Sequence, residues 1–171
     1  NMDEMTTVHD GLRVLRGEVI YRDFFQLLPP GTSWLCAAAQ AVVGPGVLGP
    51  RLLQQLGMGV AGLVLWRAAR RLGAGPWLAL APALAPTIAL QRFLPTYGHH
   101  WMVLPAAAAA LALGARAAAS RRPRDWALAG ASAGASLFFL QSDGVVVVAA
   151  LAGALACAAW GAGWAVREAG R

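Results

Sequence analysis

Five long apolar segments constrain this chain more than any other feature. They lie at residues 48–66, 76–94, 101–115, 126–140 and 145–166. About 20 apolar residues cross a bilayer as an α-helix, and these segments reach or approach that length. A chain inside lipid must bond its own backbone polar groups, which favours helices. The sequence therefore predicts an all-α, polytopic transmembrane bundle of about five spans.

The composition supports lipid as the solvent. Only 13% of the 171 residues are charged and 58% are hydrophobic, whereas a soluble domain carries about 25% charged residues. All 14 basic residues are arginines, and most of them lie in small clusters outside the apolar segments. No basic stripe alternates with aromatic residues, so the net charge of +6 does not predict nucleic-acid binding.

The arginines also predict an orientation. After five crossings, the clusters at residues 67–71, 116–124 and 167–171 share one face, and together they hold nine of the 14 arginines. That face is predicted to be cytoplasmic. Residues 1–47 then form an extracytoplasmic loop, and residues 48–171 form the transmembrane region of a longer membrane domain. Because the loop begins outside without a signal sequence, we expect another spanning helix upstream.

The loop is predicted to contain short juxtamembrane helices. Residues 5–17 read as one helix broken at Gly11, and residues 32–43 as an interfacial helix with Trp34 near the headgroups. The second segment has about 12 residues, too few to cross a bilayer. If it crossed nevertheless, the loop would be cytoplasmic.

Few ionisable groups interrupt the spans. Arg92 and Asp143 both lie near predicted outer ends, which disfavours an ion-coupled transporter. Glycines such as Gly57, Gly62, Gly130 and Gly134 indicate close helix packing. The outer loop instead combines acids, aromatic residues and prolines, which could form a cleft for a polar substrate anchored in lipid. Alternatively, its acidic pair is a solvated helix start.

The order of motifs in the loop resembles a known family. Asp3-Glu4 is followed by residues 17–25 (GEVIYRDFF), by Pro29-Pro30 and by residues 50–53 (PRLL). This order resembles the N-terminal part of GT-C superfamily glycosyltransferases. It is most similar to the bacterial branch related to protein O-mannosyltransferases and lipid A aminoarabinose transferases. A weaker likeness covers residues 130–148, where this chain lacks the lysine that the family often has.

The resemblance implies an activity and a location. Such enzymes lie in the bacterial inner (plasma) membrane and build the cell envelope. They move a hexosyl or pentosyl group from a polyprenyl-phosphate donor to an acceptor at the extracytoplasmic face. The resemblance places the catalytic acid/base at Asp3, with Glu4 beside it. A carboxylate there could take the proton of an attacking hydroxyl.

The donor phosphate needs cationic or hydrogen-bonding partners. The candidates are Arg92, Arg22, Arg51, Tyr21, His99 and His100. No cofactor is expected. A divalent metal is disfavoured because adjacent histidines rarely bind one ion and no acid lies between Arg92 and Trp101.

The sequence leaves two points open. The acceptor could be a glycan, a lipid or a protein. A non-catalytic scaffold or lipid-handling module, and thirdly a small-molecule transporter, remain alternatives to the enzyme.

Overall fold

The computed structural model describes residues 2–85, 87–88 and 96–169. Within these residues the chain forms seven α-helices: α1 (Met2–Leu15), α2 (Gly31–Val43), α3 (Leu48–Arg71), α4 (Leu80–Ala85), α5 (His99–Ser120), α6 (Pro123–Phe139) and α7 (Gln141–Ala169). The described part contains no strand, only an isolated bridge between Ile20 and Phe24. The all-α prediction is confirmed.

Helices α1 and α2 pack against each other in the predicted loop. The break expected at Gly11 is wrong, because α1 continues through this residue. A Cβ atom at Gly11 would lie only 2.9 Å from the Cys36 sulfur and 3.1 Å from the Ala37 backbone nitrogen. Gly11 therefore allows α2 to approach closely. The predicted helix at 32–43 is confirmed as α2, which ends at Gly44 with φ of 107°.

Helices α3, α5 and α7 run in the same direction, and α6 runs against them. Gln54 near the start of α3 contacts residues at the start of α5. His100 and Asp143, at the starts of α5 and α7, lie 3.1 Å apart. We call this end, where α1 also packs, the α1 end. The opposite end, where α3 and α5 finish and α6 begins, is the arginine end.

Small residues form much of the bundle core. Ala110, Ala129 and Ala133 are buried together with Leu151, which lets the helix backbones approach closely. A Cβ atom at Gly62 would lie 2.8 Å from the Ala83 carbonyl oxygen, so the packing expected there is present. Gly130 and Gly134, by contrast, face open space within this chain. Their predicted close packing is not found among the described residues.

The helix bounds differ from the predicted spans. Residues 141–144 separate two of the predicted apolar segments, but in the structure they begin α7, and α6 and α7 are interrupted only at Leu140. Within the described residues, α5 is long and apolar enough to cross a membrane, with a mean hydropathy of 1.6. It is the single described helix that meets both conditions. Helix α2 and residues 141–157 are apolar but shorter. The predicted span at 76–94 lies partly outside the described residues.

Candidate active site

Glu4 is the buried centre of the α1 end. Its side chain is 3% exposed. The Arg51 guanidinium donates to both carboxylate oxygens, at 2.7 and 2.8 Å, and the Tyr97 backbone N–H donates to Oε1 at 2.9 Å. The hydrogen bonds from Arg51 lower the pKa of Glu4, although burial opposes them, and the Tyr97 N–H adds to the lowering. Glu4 is therefore an ionised carboxylate that joins α1 to α3 and to the segment before α5.

The segment Thr96–Gly98 is held from three helices. The Gln54 side-chain amide donates to the Thr96 carbonyl and accepts from the Gly98 N–H, each at 3.1 Å. The Tyr97 hydroxyl donates to the Thr32 carbonyl in α2 at 2.8 Å. Tyr97 is 1% exposed, and burial raises the pKa of its phenol, which keeps it a neutral donor. These bonds fix the start of α5 relative to α1.

Asp3 lies beside this network but in a different environment. It is exposed in the first turn of α1, and its charge acts on His99 across the gap to α5. His100 Nδ1 lies 3.1 Å from Asp143 Oδ2, with the His100 side chain 64% exposed and that of Asp143 41% exposed. The α1 end thus brings together Asp3, Glu4, Arg51, His99 and His100 of the predicted site residues.

Three residues of this site were missed by the sequence reasoning. They are Gln54, Tyr97 and Asp143. Gln54 follows Arg51 by three residues, so both lie on one helix face, and a glutamine in an apolar segment is the sequence signal that could have revealed it. Asp143 is an ionisable group at the start of an apolar helix. Tyr97 carried no signal, because its role depends on contacts distant in sequence.

Tyr21 and Arg22 lie at the other end of α1. Their segment folds onto Arg13, which packs over the Phe24 ring at 4.1 Å and pairs with Glu18 at 2.6 Å. Arg13 follows Asp3 by ten residues, or about 15 Å along a helix. The structure therefore separates these two predicted donor contacts from the rest of the set.

Local bonds occupy both side chains. Arg22 pairs with Asp23 at 2.8 Å, and the hydrogen bond from Arg22, with one from the Val19 N–H, lowers the pKa of Asp23 to about 2. The Tyr21 hydroxyl donates to the Leu28 carbonyl at 2.7 Å. These contacts shape the turn in which both residues lie.

The remaining predictions concern Arg92 and a metal. Arg92 lies outside the described residues. Among the described residues, no group of three or more histidine, cysteine or acidic side chains could hold a metal ion. Cys36 is fully buried, and burial raises the pKa of its thiol to about 11. This thiol is therefore not a candidate nucleophile.

Comparison with known proteins identifies the family. A family model described as dolichyl-phosphate-mannose-protein mannosyltransferase matches residues 28–167. No curated protein and no solved structure matches the chain. The matched range includes Arg51, His99 and His100 and begins after Asp3 and Glu4. The match confirms the resemblance to membrane glycosyltransferases. The chain belongs to the dolichyl-phosphate-mannose-protein mannosyltransferase family, whose members are integral membrane glycosyltransferases.

Proposed function

We propose that this protein transfers a sugar from a polyprenyl-phosphate donor to an acceptor at the extracytoplasmic membrane face. Family membership supports glycosyl transfer. The observation that carries the proposal is the α1 end, where an exposed acid, Asp3, and two histidines surround a buried, charge-balanced core. An acid beside imidazole hydrogen-bond donors suits a reaction that moves a proton and releases a phosphate.

In the proposed reaction, Asp3 is the general base. It accepts the proton of the acceptor hydroxyl as that oxygen forms a bond to the anomeric carbon. The bond from the anomeric carbon to the phosphate oxygen breaks, and its electron pair leaves with the polyprenyl phosphate. This single displacement inverts the configuration at the anomeric carbon. Glu4 supports the base by fixing α1 on Arg51 and on the start of α5.

The leaving phosphate gains negative charge, and we assign its contacts to His99, His100 and Arg92. Imidazole N–H and guanidinium groups can donate hydrogen bonds to phosphate oxygens. Arg51 is half exposed, but its fork is directed at Glu4, so its role here is to hold that carboxylate. Tyr21 and Arg22 lie too far along α1 to contact the same phosphate, and we assign them to the shape of the loop.

The proposed topology follows the arginines. Residues 1–47 form the extracytoplasmic loop, and residues 48–171 form a bundle of about five spans in the bacterial inner membrane. The common direction of α3, α5 and α7 supports this alternation. Among the described residues, the charged side chains of the bundle helices lie toward its two ends and not at mid-height, which favours surface chemistry over a transport path.

The experiment that tests this proposal asks which sugar donor the protein uses. Reconstituted protein should transfer labelled sugar from polyprenyl-phosphate mannose to an acceptor extract that contains glycans, lipids and proteins. The matched control supplies the same sugar as a nucleotide conjugate, which should give only background transfer. Equal transfer from both donors, or none from the lipid-linked donor, would contradict the proposal.

A further inference from the structure

We propose that Gln54 is a positioning residue that holds the start of α5, with His99 and His100, in register with Asp3. This inference rests on the proposed function, because it gives Gln54 a task in that reaction. Its structural part, the fixing of residues 96–98, can be measured without any activity.

The geometry of Gln54 is specific for this task. Its side chain is 1% exposed, and both ends of its amide are used. The nitrogen donates to the Thr96 carbonyl, and the oxygen accepts from the Gly98 N–H, each at 3.1 Å. One side chain therefore bonds the backbone on either side of Tyr97. Such a pair of bonds fixes the direction of the backbone at residues 96–98 as well as its distance from α3.

Gln54 and Glu4 act on one short segment. Glu4 binds the Tyr97 N–H that lies between the two contacts of Gln54. Three consecutive residues, Thr96–Gly98, are thus bonded to side chains from α1 and α3. Asp3 precedes Glu4 and His99 follows Gly98, so this network joins the neighbour of the proposed base to the neighbour of a proposed phosphate contact.

Packing alone does not explain an amide here. A leucine or methionine would fill a similar volume in an apolar helix without the cost of burying a polar group. Gln55, the next residue, is exposed and provides a matched control on the same helix. The two glutamines are adjacent in sequence, but it is Gln54 whose side chain is hydrogen-bonded to residues 96–98.

The kinetic test compares Gln54→Leu with Gln55→Leu in the reconstituted protein. Gln54→Leu should lower kcat by about 10- to 100-fold, the effect of a misplacement of about 1 Å. The donor KM should change by less than about threefold, since a transition-state alignment is lost and ground-state contacts can adjust. Gln55→Leu should leave both constants unchanged. Equal kcat values for the two variants would overturn the proposal.

A third variant separates positioning from folding. In Gln54→Glu, the protonated carboxyl can donate to Thr96 and accept from Gly98, as the amide does, whereas the carboxylate cannot donate. Its activity relative to wild type should therefore approach one at acidic pH and fall as pH rises. The other ionisable groups of the site are the same in both proteins (Asp3, Glu4, His99, His100 and Asp143), so the ratio isolates the introduced carboxyl. A ratio that is well below one at every pH would contradict the role of the Gln54 donor, because the protonated carboxyl would then fail to replace the amide.

Backbone hydrogen exchange supplies the measurement that is independent of activity. Exchange in peptides covering residues 96–100 should accelerate at least about fivefold in Gln54→Leu, the effect of losing one ordinary hydrogen bond. Gln55→Leu should match wild type. If wild type showed no sugar transfer but exchange accelerated as expected, the proposed reaction would be wrong and the structural role would hold. Unchanged exchange would overturn the inference, whatever the activity.

Discussion

The two ends of the bundle each bury a carboxylate beside an arginine, but they do so differently. At the arginine end, Asp125 accepts from Ser120 at 2.6 Å and pairs with Arg116 at 3.2 Å. All three residues belong to one helical hairpin. At the α1 end, Glu4 binds partners 47 and 93 residues away in sequence. The first arrangement stabilises a local turn, whereas the second assembles a surface from several helices.

The difference supports the proposed location of the active site. A local cap requires only neighbouring residues, so it forms wherever a helical hairpin needs one. A network that spans α1, α3 and the start of α5 has to order distant segments, which costs conformational entropy. The ordering of these segments brings Asp3, His99, His100 and Asp143 to one end of the bundle. Each prediction below tests this contrast between the ends.

The largest expected effect is in thiol labelling, which should be all-or-none on each side of the membrane. If the ends lie on opposite sides of the membrane, a cysteine replacing Thr96 should react with an impermeant thiol reagent from outside. A cysteine replacing Ser120 should react only after the inner face is exposed. The background should carry Cys157→Ala, because Cys157 is exposed within this chain. Labelling of both sites from the same side would refute the proposed topology.

Stability should respond more strongly at the α1 end. Glu4→Gln keeps one acceptor for the Tyr97 N–H but removes the charge that balances Arg51. We expect a loss of about 1–2 kcal/mol, kept small because water screens the half-exposed Arg51. Asp125→Asn, the matched change at the arginine end, should cost less because its contacts are local. Thermal unfolding in detergent compares the two variants, and a larger loss in Asp125→Asn would reverse the ranking.

A smaller effect on the stability of the fold should appear as the pH is lowered. The folded protein holds the pKa of Glu4 below its usual value of 4.5, so ionised Glu4 stabilises the fold above that pH. This contribution should decline as pH falls below about 4.5 toward the lowered folded value. Unfolding of wild type and Glu4→Gln at several pH values isolates it, because Asp23 and Asp10 titrate in both. A stability difference that is constant from neutral to acidic pH would argue against this role.

The helices of the fold were largely predictable, and their exact ends were not. The segment 32–43 was predicted from its apolar run between Pro29-Pro30 and Gly44, and it forms α2. Gly11 was misread because a glycine that breaks a helix and one that admits a neighbour look alike in sequence. The polar residues 141–144 were placed between two apolar segments, although they begin α7, because a helix can begin with them as readily as a loop can contain them.

The candidate site was predictable only in part, for a similar reason. Asp3 and Glu4 are adjacent acids, and the sequence does not separate an exposed one from a buried one. Their difference comes from Arg51 and Tyr97, whose proximity depends on the packing of α1 against α3 and α5. The length of α1 puts Tyr21 far from this site. Long-range contacts of this kind leave no local pattern.

The most direct test of the central claim is sugar transfer by Asp3→Asn. This change preserves size and hydrogen bonding but removes the base, so donor binding should persist while turnover falls by about 10²–10⁴-fold. Glu18→Gln is the matched control, since it removes a carboxylate at the opposite end of α1 and should retain wild-type turnover. Near-normal transfer by Asp3→Asn, or an equal loss in Glu18→Gln, would contradict an active site at the α1 end.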